Sequence, residues 1–437
     1  AVADYDGDGR SDILVTNFGP NVLYRNRGDG TFDNVAPGSP IEAPGWNTGA
    51  AFFDADADGD LDLYVAAYID QTIDAVIAAE RVLDWKGVDR VAIGPFGLPG
   101  AVDHFFLSDG AGRFVDSTTR AGLDDRAEAY GFAVRAADFD RDGDVDLYVA
   151  NDSDANYLYR NEGDAIFTEV GLWSGAALDA NGAAQAGMGI AVGDPTGDGV
   201  YDLFVTNFSE DYSTLYRGDG TGFFDDVSGP SGVGELTYDA LSWGTVFADL
   251  DNDGDEDLVV ANGHIYPQVD DHPQFGLSYE QRNSLLENLG DGRFVDATAR
   301  GGPGFEQLYS SRGLAAGDYD NDGDLDLLIT HLDRPPSLLR NDSTSGAWLI
   351  VDCRVPPGAG ARTGTEVTVR FGGRIARRDL ASGGSFLSVN DPRVHFGLGT
   401  HERVERLEIR WPDGTLDRLD DVAARRIVSV TKSAEGR

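Results

Sequence analysis

The chain has 437 residues, 41% of them apolar, a single cysteine and a formal charge of −42. That length allows two or three domains or one large repeat array, and the apolar share suffices for a core. The charge argues against nucleic acid as a partner, Cys353 alone excludes an internal disulfide, and no apolar run of about 18 residues is present to cross a membrane.

The chain opens at Ala1 directly on a repeat, with no leader in view, so a removed leader or a shortened sequence is expected. The repeat is a nine-residue acidic loop that runs into an apolar, partly β-branched stretch. It occurs six times, with acids at positions 1, 3, 5 and 9, apart from Thr196 at position 3 of the fourth copy, and glycine at position 6. The candidate ligands are Asp4, Asp6, Asp8 and Asp12 in the first loop and Asp54, Asp56, Asp58 and Asp62 in the second. Asp138, Asp140, Asp142 and Asp146 form the third set, and Asp194, Thr196, Asp198 and Asp202 the fourth. The fifth and sixth sets are Asp249, Asp251, Asp253 and Asp257, then Asp318, Asp320, Asp322 and Asp326.

Alternate carboxylates on a tightly curled loop converge on one point, which suits Ca2+, a hard cation taking six to eight oxygens at about 2.3–2.6 Å. Glycine at position 6 permits the sharp turn. An EF-hand would need a bidentate Glu at position 12 and a helix after it. Position 12 is instead Val15, Val65, Val149, Val205, Val260 or Ile329, so each loop is a strand-to-strand turn expected to hold calcium, five to six ions in all. Solvated acidic turns are the plainer reading, and the shared register of six copies weighs against it. Thr196 removes one carboxylate, so the fourth site is expected to bind most weakly.

After each loop strand comes a second stretch such as Val22-Leu23-Tyr24-Arg25-Asn26, then a glycine turn, a third such as Arg293-Phe294-Val295-Asp296, and a fourth before the next loop. Four short strands per repeat predict an all-β fold, a β-propeller of six recognisable blades with a small C-terminal β domain; a seventh blade also fits. Tyr64, Tyr148, Phe204 and Phe224 are expected between blades. The predicted division is 1–343 for the propeller and 344–437 for the second domain, which carries a charge of +3 against −45 on the first 345 residues. Strict alternation in Thr365-Glu366-Val367-Thr368-Val369-Arg370-Phe371 predicts strands there.

Loop spacings of 50, 84, 56, 55 and 69 residues place insertions near 69–103 and 263–283. Ile73 through Leu83 has helical spacing. His264, Asp270, Asp271 and His272 form the one local group suited to a transition metal or proton transfer, although an ordered polar loop is the preferred reading. Trp46, Trp173 and Trp243 suit either inter-blade core or, less favoured, a sugar platform. Arg374, Arg377 and Arg378 suit a solvated strand face or, less favoured, docking on the acidic propeller. Asp152 and Asp154 suit a pocket or ordinary turns.

The blades resemble the FG-GAP or VCBS repeats of integrin-like propellers over about 1–343. Residues 346–433 resemble the ASPIC and UnbV domain through Gly372-Gly373-Arg374, Ser382-Gly383-Gly384-Ser385-Phe386-Leu387-Ser388, Val394-His395-Phe396-Gly397-Leu398-Gly399 and Arg410-Trp411-Pro412-Asp413-Gly414. Together they resemble bacterial members of the cartilage acidic protein family. The resemblance implies calcium ligation at the six loops and a secreted or cell-surface location, and it supplies no catalytic residues; the partner expected is an unknown protein or glycan ligand. No Gly-x-Ser-x-Gly elbow, His-Glu-x-x-His pair or Walker loop occurs. A binding or adhesion module is therefore preferred, with an enzyme or scaffold of secondary metabolism, and self-assembly through an open blade edge, as alternatives.

Overall fold

The computed structural model describes all residues except 79–81, 87, 93, 125–128, 344–345 and 434–437. Six antiparallel sheets follow one another along the chain, each with its strands in chain order. The first has Val2–Ala3, Asp12–Val15, Val22–Asn26 and Phe32–Asn34. The fifth repeats the plan with Ser242–Ala248, Asp257–Asn262, Ser284–Asn288 and Phe294–Asp296. The acidic loop always joins the first two strands and always closes on the same register pair. Ala3 faces Asp12, Phe53 faces Asp62, Ala137 faces Asp146, Gly193 faces Asp202, Ala248 faces Asp257 and Gly317 faces Asp326. The sixth blade departs from the expected four strands and stops at three, Ser311–Gly317, Asp326–His331 and Arg334–Leu339.

The apolar stretch after each loop explains the stacking. A strand covered on both faces reads as continuously hydrophobic. In the second blade Leu63 and Val65 pack toward the first blade, while Tyr64 and Ala66 pack toward the third. The same division gives one buried cluster between each successive pair of blades up to the sixth. Among the described residues no such cluster joins the sixth blade to the first. There Val15 is 40% exposed and Leu338 is 54% exposed, at positions that are covered in the interior blades.

A second unit follows. One sheet pairs Ala347–Arg354 with Val394–Gly399 and, in parallel, with Arg426–Thr431; the other contains Glu366–Phe371, Arg374–Asp379, Arg403–Arg410 and Leu416–Ala423. Their facing residues, including Leu349, Val369, Phe396 and Trp411, form one core.

Between Asp379 and Val394 this unit sends its chain into the hub of the blades. Ser382 O accepts the Val2 N–H at 3.0 Å, and the Ser382 hydroxyl bridges Phe52 N and O at 2.7 Å each. Asp379 takes Arg135 at 2.6 Å, Ser385 N donates to Ile190 O at 2.7 Å, and Ser385 Oγ accepts Thr245 N–H at 2.8 Å. Asp391 N donates to Ala316 O at 2.9 Å. Those six partners lie one on the first strand of each blade. The Ser-Gly-Gly-Ser-Phe run is thus an axial plug, and Gly383 is required because a Cβ there would collide with Ala50 O. Phe386 ends the plug edge-on to Phe132, ring centroids 5.6 Å apart, and beside Trp243 at 4.8 Å.

Several expectations are corrected. The helix read over Ile73 to Leu83 ends at Ala78, and Val82–Trp85 is a strand paired with Val88–Ala92; residues 79–81 lie outside the described set. Trp243 and Trp46 pack into aromatic clusters, in agreement with the preferred core placement, whereas Trp173 departs from it, 69% exposed against Phe223. The basic tail strand docks where a solvated face was preferred. Arg378 pairs with Glu256 at 2.7 Å, Arg374 reaches Asp255 at 2.5 Å, and Arg377 lies over the Tyr201 ring at 4.4 Å. The +3 surface meets the −45 one directly.

Candidate metal centres

Five of the six loops are first held by their own amides in one way. The position 1 carboxylate takes the N–H groups of positions 5 and 6: Asp4 from Asp8 and Gly9, Asp54 from Asp58 and Gly59, Asp194 from Asp198 and Gly199, Asp249 from Asp253 and Gly254, Asp318 from Asp322 and Gly323, all at 2.8–3.2 Å. Glycine at position 6 has positive φ in every loop, from 79° at Gly199 to 104° at Gly143.

Position 9 does more than close the loop. Its Oδ1 accepts a backbone N–H from the third-strand region, for example Asn26 at 2.7 Å and Asn288 at 3.0 Å, and its Oδ2 accepts the N–H of position 2, for example Ala55 to Asp62 at 2.9 Å. In the fourth loop position 2 is Pro195, which has no N–H, and Asp202 Oδ2 is left buried without a partner. The Asn of the Arg-Asn or Glu-Asn pairs was missed as a structural device. Asn161 donates to Ala55 O, Asn288 to Pro195 O and Asn341 to Leu250 O at 2.7–2.8 Å, so each ties its loop to the loop of the preceding blade.

Five loops bring three carboxylate oxygens within 4.8 Å of one another. These are Asp4, Asp6 and Asp8; Asp54, Asp56 and Asp58; Asp138, Asp140 and Asp146; Asp249, Asp251 and Asp253; and Asp318, Asp320 and Asp326. Asp142 and Asp322 stand at position 5 outside those triplets, and Asp12, Asp62 and Asp257 at position 9 serve the backbone. The fourth loop, with Asp194, Thr196, Asp198 and Asp202, yields no triplet among the described residues, in keeping with the missing carboxylate.

The electrostatics fit a cation. Burial pushes Asp54 and Asp12 up to about 7, Asp62 up to about 8 and Asp138 up to about 6, with neighbouring acids adding to the rise. Carboxylates crowded this way resist ionising together unless a positive charge sits among them. Buried Asp6 Oδ1, Asp56 Oδ1 and Asp138 Oδ1 have no hydrogen-bond partner, the donor set a hard divalent ion would take.

The second unit sits on these loops. A Cβ at Gly9 would come 3.3 Å from Pro357, at Gly59 3.8 Å from Gly360, at Gly199 3.8 Å from Ile375 and at Gly254 2.8 Å from Arg374. At Gly323 it would collide with Trp348. The motif glycine therefore supplies both the turn and the clearance for the domain above. Gly143 of the third loop is the exception, with nothing within 4 Å of that position.

The second insertion offers no metal group. His264 is buried, its Nδ1 accepts the Tyr266 N–H at 3.0 Å, and its Nε2 lies 3.3 Å from Ser209 Oγ. An accepting Nδ1 leaves the proton on Nε2, so the ring donates to Ser209 and does not act as its base. Asp270 accepts the Tyr279 N–H at 2.8 Å, and His272 stacks on Phe275. Asp152 accepts the Tyr68 hydroxyl at 2.7 Å and Asp154 caps Ala155 N, both structural roles.

Fold and loops together define a class, a propeller whose blades are each closed by an acidic loop and whose loop face carries a β domain. The FG-GAP-like repeat profile matches residues 4–65, 138–205, 194–260 and 270–329, and the ASPIC and UnbV profile matches 359–437. The chain belongs to the family of FG-GAP-like repeat proteins that carry an ASPIC and UnbV domain. Cartilage acidic protein 1 of Mus musculus and of Homo sapiens are each 27% identical over 480 residues, covering 95% of this chain and 70% and 69% of theirs. Among solved structures, an Agrocybe aegerita lectin that recognises non-reducing terminal N-acetylglucosamine aligns with 79% of this chain and 81% of its own at 17% identity, TM-score 0.42. The BP39L lectin of Burkholderia pseudomallei aligns with 96% and 97% at 11% identity, TM-score 0.40. No helix of the described residues is long and apolar enough to cross a membrane.

Proposed function

We propose that this protein is a secreted calcium-binding propeller that works as a binding or adhesion module, with its division near 343/344 and its ions structural. The observation that carries the reading is the convergence of three carboxylate oxygens within 4.8 Å in five loops of one register. The candidate ligands at positions 1, 3, 5 and 9 hold the ions, and the fourth loop, with Thr196, holds its ion most weakly. A site of about 10 μM affinity in about 1 mM Ca2+ stabilises by roughly 2.7 kcal/mol, so several together rival the whole stability of a domain, about 5–15 kcal/mol. Such weak oxygen-rich sites suit the calcium-rich exterior. The name of the cartilage acidic relatives is in keeping with that location. The partner is a protein or glycan.

The test is a thermal melt with and without chelator, paired with a calorimetric Ca2+ titration. Five or six ions and a melt lowered by tens of degrees support the reading; an unmoved melt with no bound ions overturns it. The bare strand faces around Val15 and Leu338 favour a second reading, association through these faces with a second copy. Light scattering that finds only monomers at high concentration would count against it.

A further inference from the structure

The domain on the loop face touches the motif glycine of every loop but the third. Beside that loop, between the propeller and the second unit, lies a cavity of about 520 Å3. Its wall includes Asp138, Asp142 and Gly143 of the third loop on one side and Glu366, Arg377 and Arg410 of the second unit on the other. A volume in the range of about 300–1,000 Å3 is that of a small-molecule site.

The third loop is also built differently. Asp142 N–H goes to Asp140 at 3.2 Å, whereas in the other five loops the position 5 amide is held by the position 1 carboxylate. Asp138 Oδ1 is buried and unpartnered. A second observation points to a ligand independently of the acids. Tyr201, 3% exposed and on the cavity wall, has a hydroxyl with no hydrogen-bond partner, although Arg377 covers its ring. A buried hydroxyl left unpaired is unfavourable, and a bound group would relieve it.

We propose that this cavity is a ligand site for a small carboxylate-bearing polyol, an acidic monosaccharide in size and chemistry. The inference rests on the third loop holding its calcium ion. Arg410 stands at the rim, 64% exposed and only loosely paired with Glu366 at 4.0 Å, free to turn onto a carboxylate. Tyr201 and Glu366 give a donor and an acceptor for hydroxyls. Asp138 and Asp142 of the third loop line the cavity, so an ion held by that loop would lie within reach of a ligand oxygen. Asp54 of the second loop and Asp198 of the fourth also reach the cavity wall, but there the motif glycine is covered by the second unit.

The experiment is calorimetric titration of the calcium-saturated full chain with galacturonate, with galactose and inorganic phosphate as comparison probes. Saturable single-site binding of galacturonate is expected, absent with galactose. Tyr201→Phe, which removes only the unpartnered hydroxyl and leaves the ring under Arg377, weakens binding about tenfold. Asp142→Asn abolishes it while the remaining ions stay bound. No heat at millimolar galacturonate, equal binding of galactose, preferred binding of phosphate, or full binding by both variants overturns the proposal. Counting ions on the same sample by equilibrium dialysis separates the two failures. A chain without calcium sinks the calcium reading, and a fully loaded chain that ignores galacturonate sinks this one alone.

Discussion

Arg378 of the C-terminal unit and Glu256 of the fifth acidic loop form a buried ion pair at 2.7 Å, their side chains 15% and 4% exposed. Glu256 uses its other oxygen to accept the Asp194 N–H at 2.7 Å, so one carboxylate joins two neighbouring loops to the domain seated on them. Position 8 of the loop, outside the ligand pattern, thus carries the interdomain contact.

Removing one partner of such a pair strands a charge. Glu256→Ala is expected to cost about 3–5 kcal/mol, because Arg378 stays buried without a counter-charge. Replacing both residues by methionine is expected to cost less than that single change. Urea denaturation of the calcium-loaded single and double variants measures the difference, and a double variant as unstable as the single would overturn this account.

The fourth loop lacks its position 3 carboxylate and, through Pro195, the amide that would hold Asp202. Thr196→Asp restores the carboxylate beside an Asp202 Oδ2 that nothing engages. The expected outcome is one more bound ion, or a clearly tighter one, and a higher melting temperature in calcium than in chelator. Equilibrium dialysis against the parent chain checks it; an unchanged ion count would place the defect in the backbone of the loop.

The blades and loops were legible because a loop repeated in register fixes both chemistry and spacing locally, and because Leu63-Tyr64-Val65 and its counterparts read as strands buried on both faces. The C-terminal β unit was legible from alternation. What stayed hidden was long-range. Nothing in Ser382-Gly383-Gly384-Ser385 announces that it threads the hub, since its partners, from Val2 to Ala316, are spread over the whole propeller. Arg374, Arg377 and Arg378 read as a solvated face because Asp255, Tyr201 and Glu256, which they meet, lie more than a hundred residues away. The +3 against −45 charge division was the one signal that could have reversed that preference.

The plug makes its own prediction. Phe386 sits among Met188, Leu241 and Trp243, and Phe386→Ala leaves a cavity where those blades meet. A loss of about 3–5 kcal/mol is expected, the usual cost of deleting a buried aromatic ring. Because the segment meets every blade, the unfolding transition should fall as a whole. Differential scanning calorimetry decides: a parent-like propeller transition with only the C-terminal unit lost would mean that the plug does not hold the blades together.

His264 supplies a pH-dependent contribution on the face away from the acidic loops. Burial, with Arg312 next, lowers its imidazole from 6.5 to about 4. The folded chain thus keeps the ring neutral, whereas the unfolded chain protonates it from about pH 6.5 downward. The unfolded state binds more protons in that window, so the contribution is intact above about pH 6.5 and is lost as the pH falls through about 4. The loss is on the order of 2–3 kcal/mol, and His264→Gln removes this part of the slope. Calcium-saturated urea melts of both chains across the window test it. Parallel pH profiles would mean that His264 titrates alike in the folded and unfolded chains.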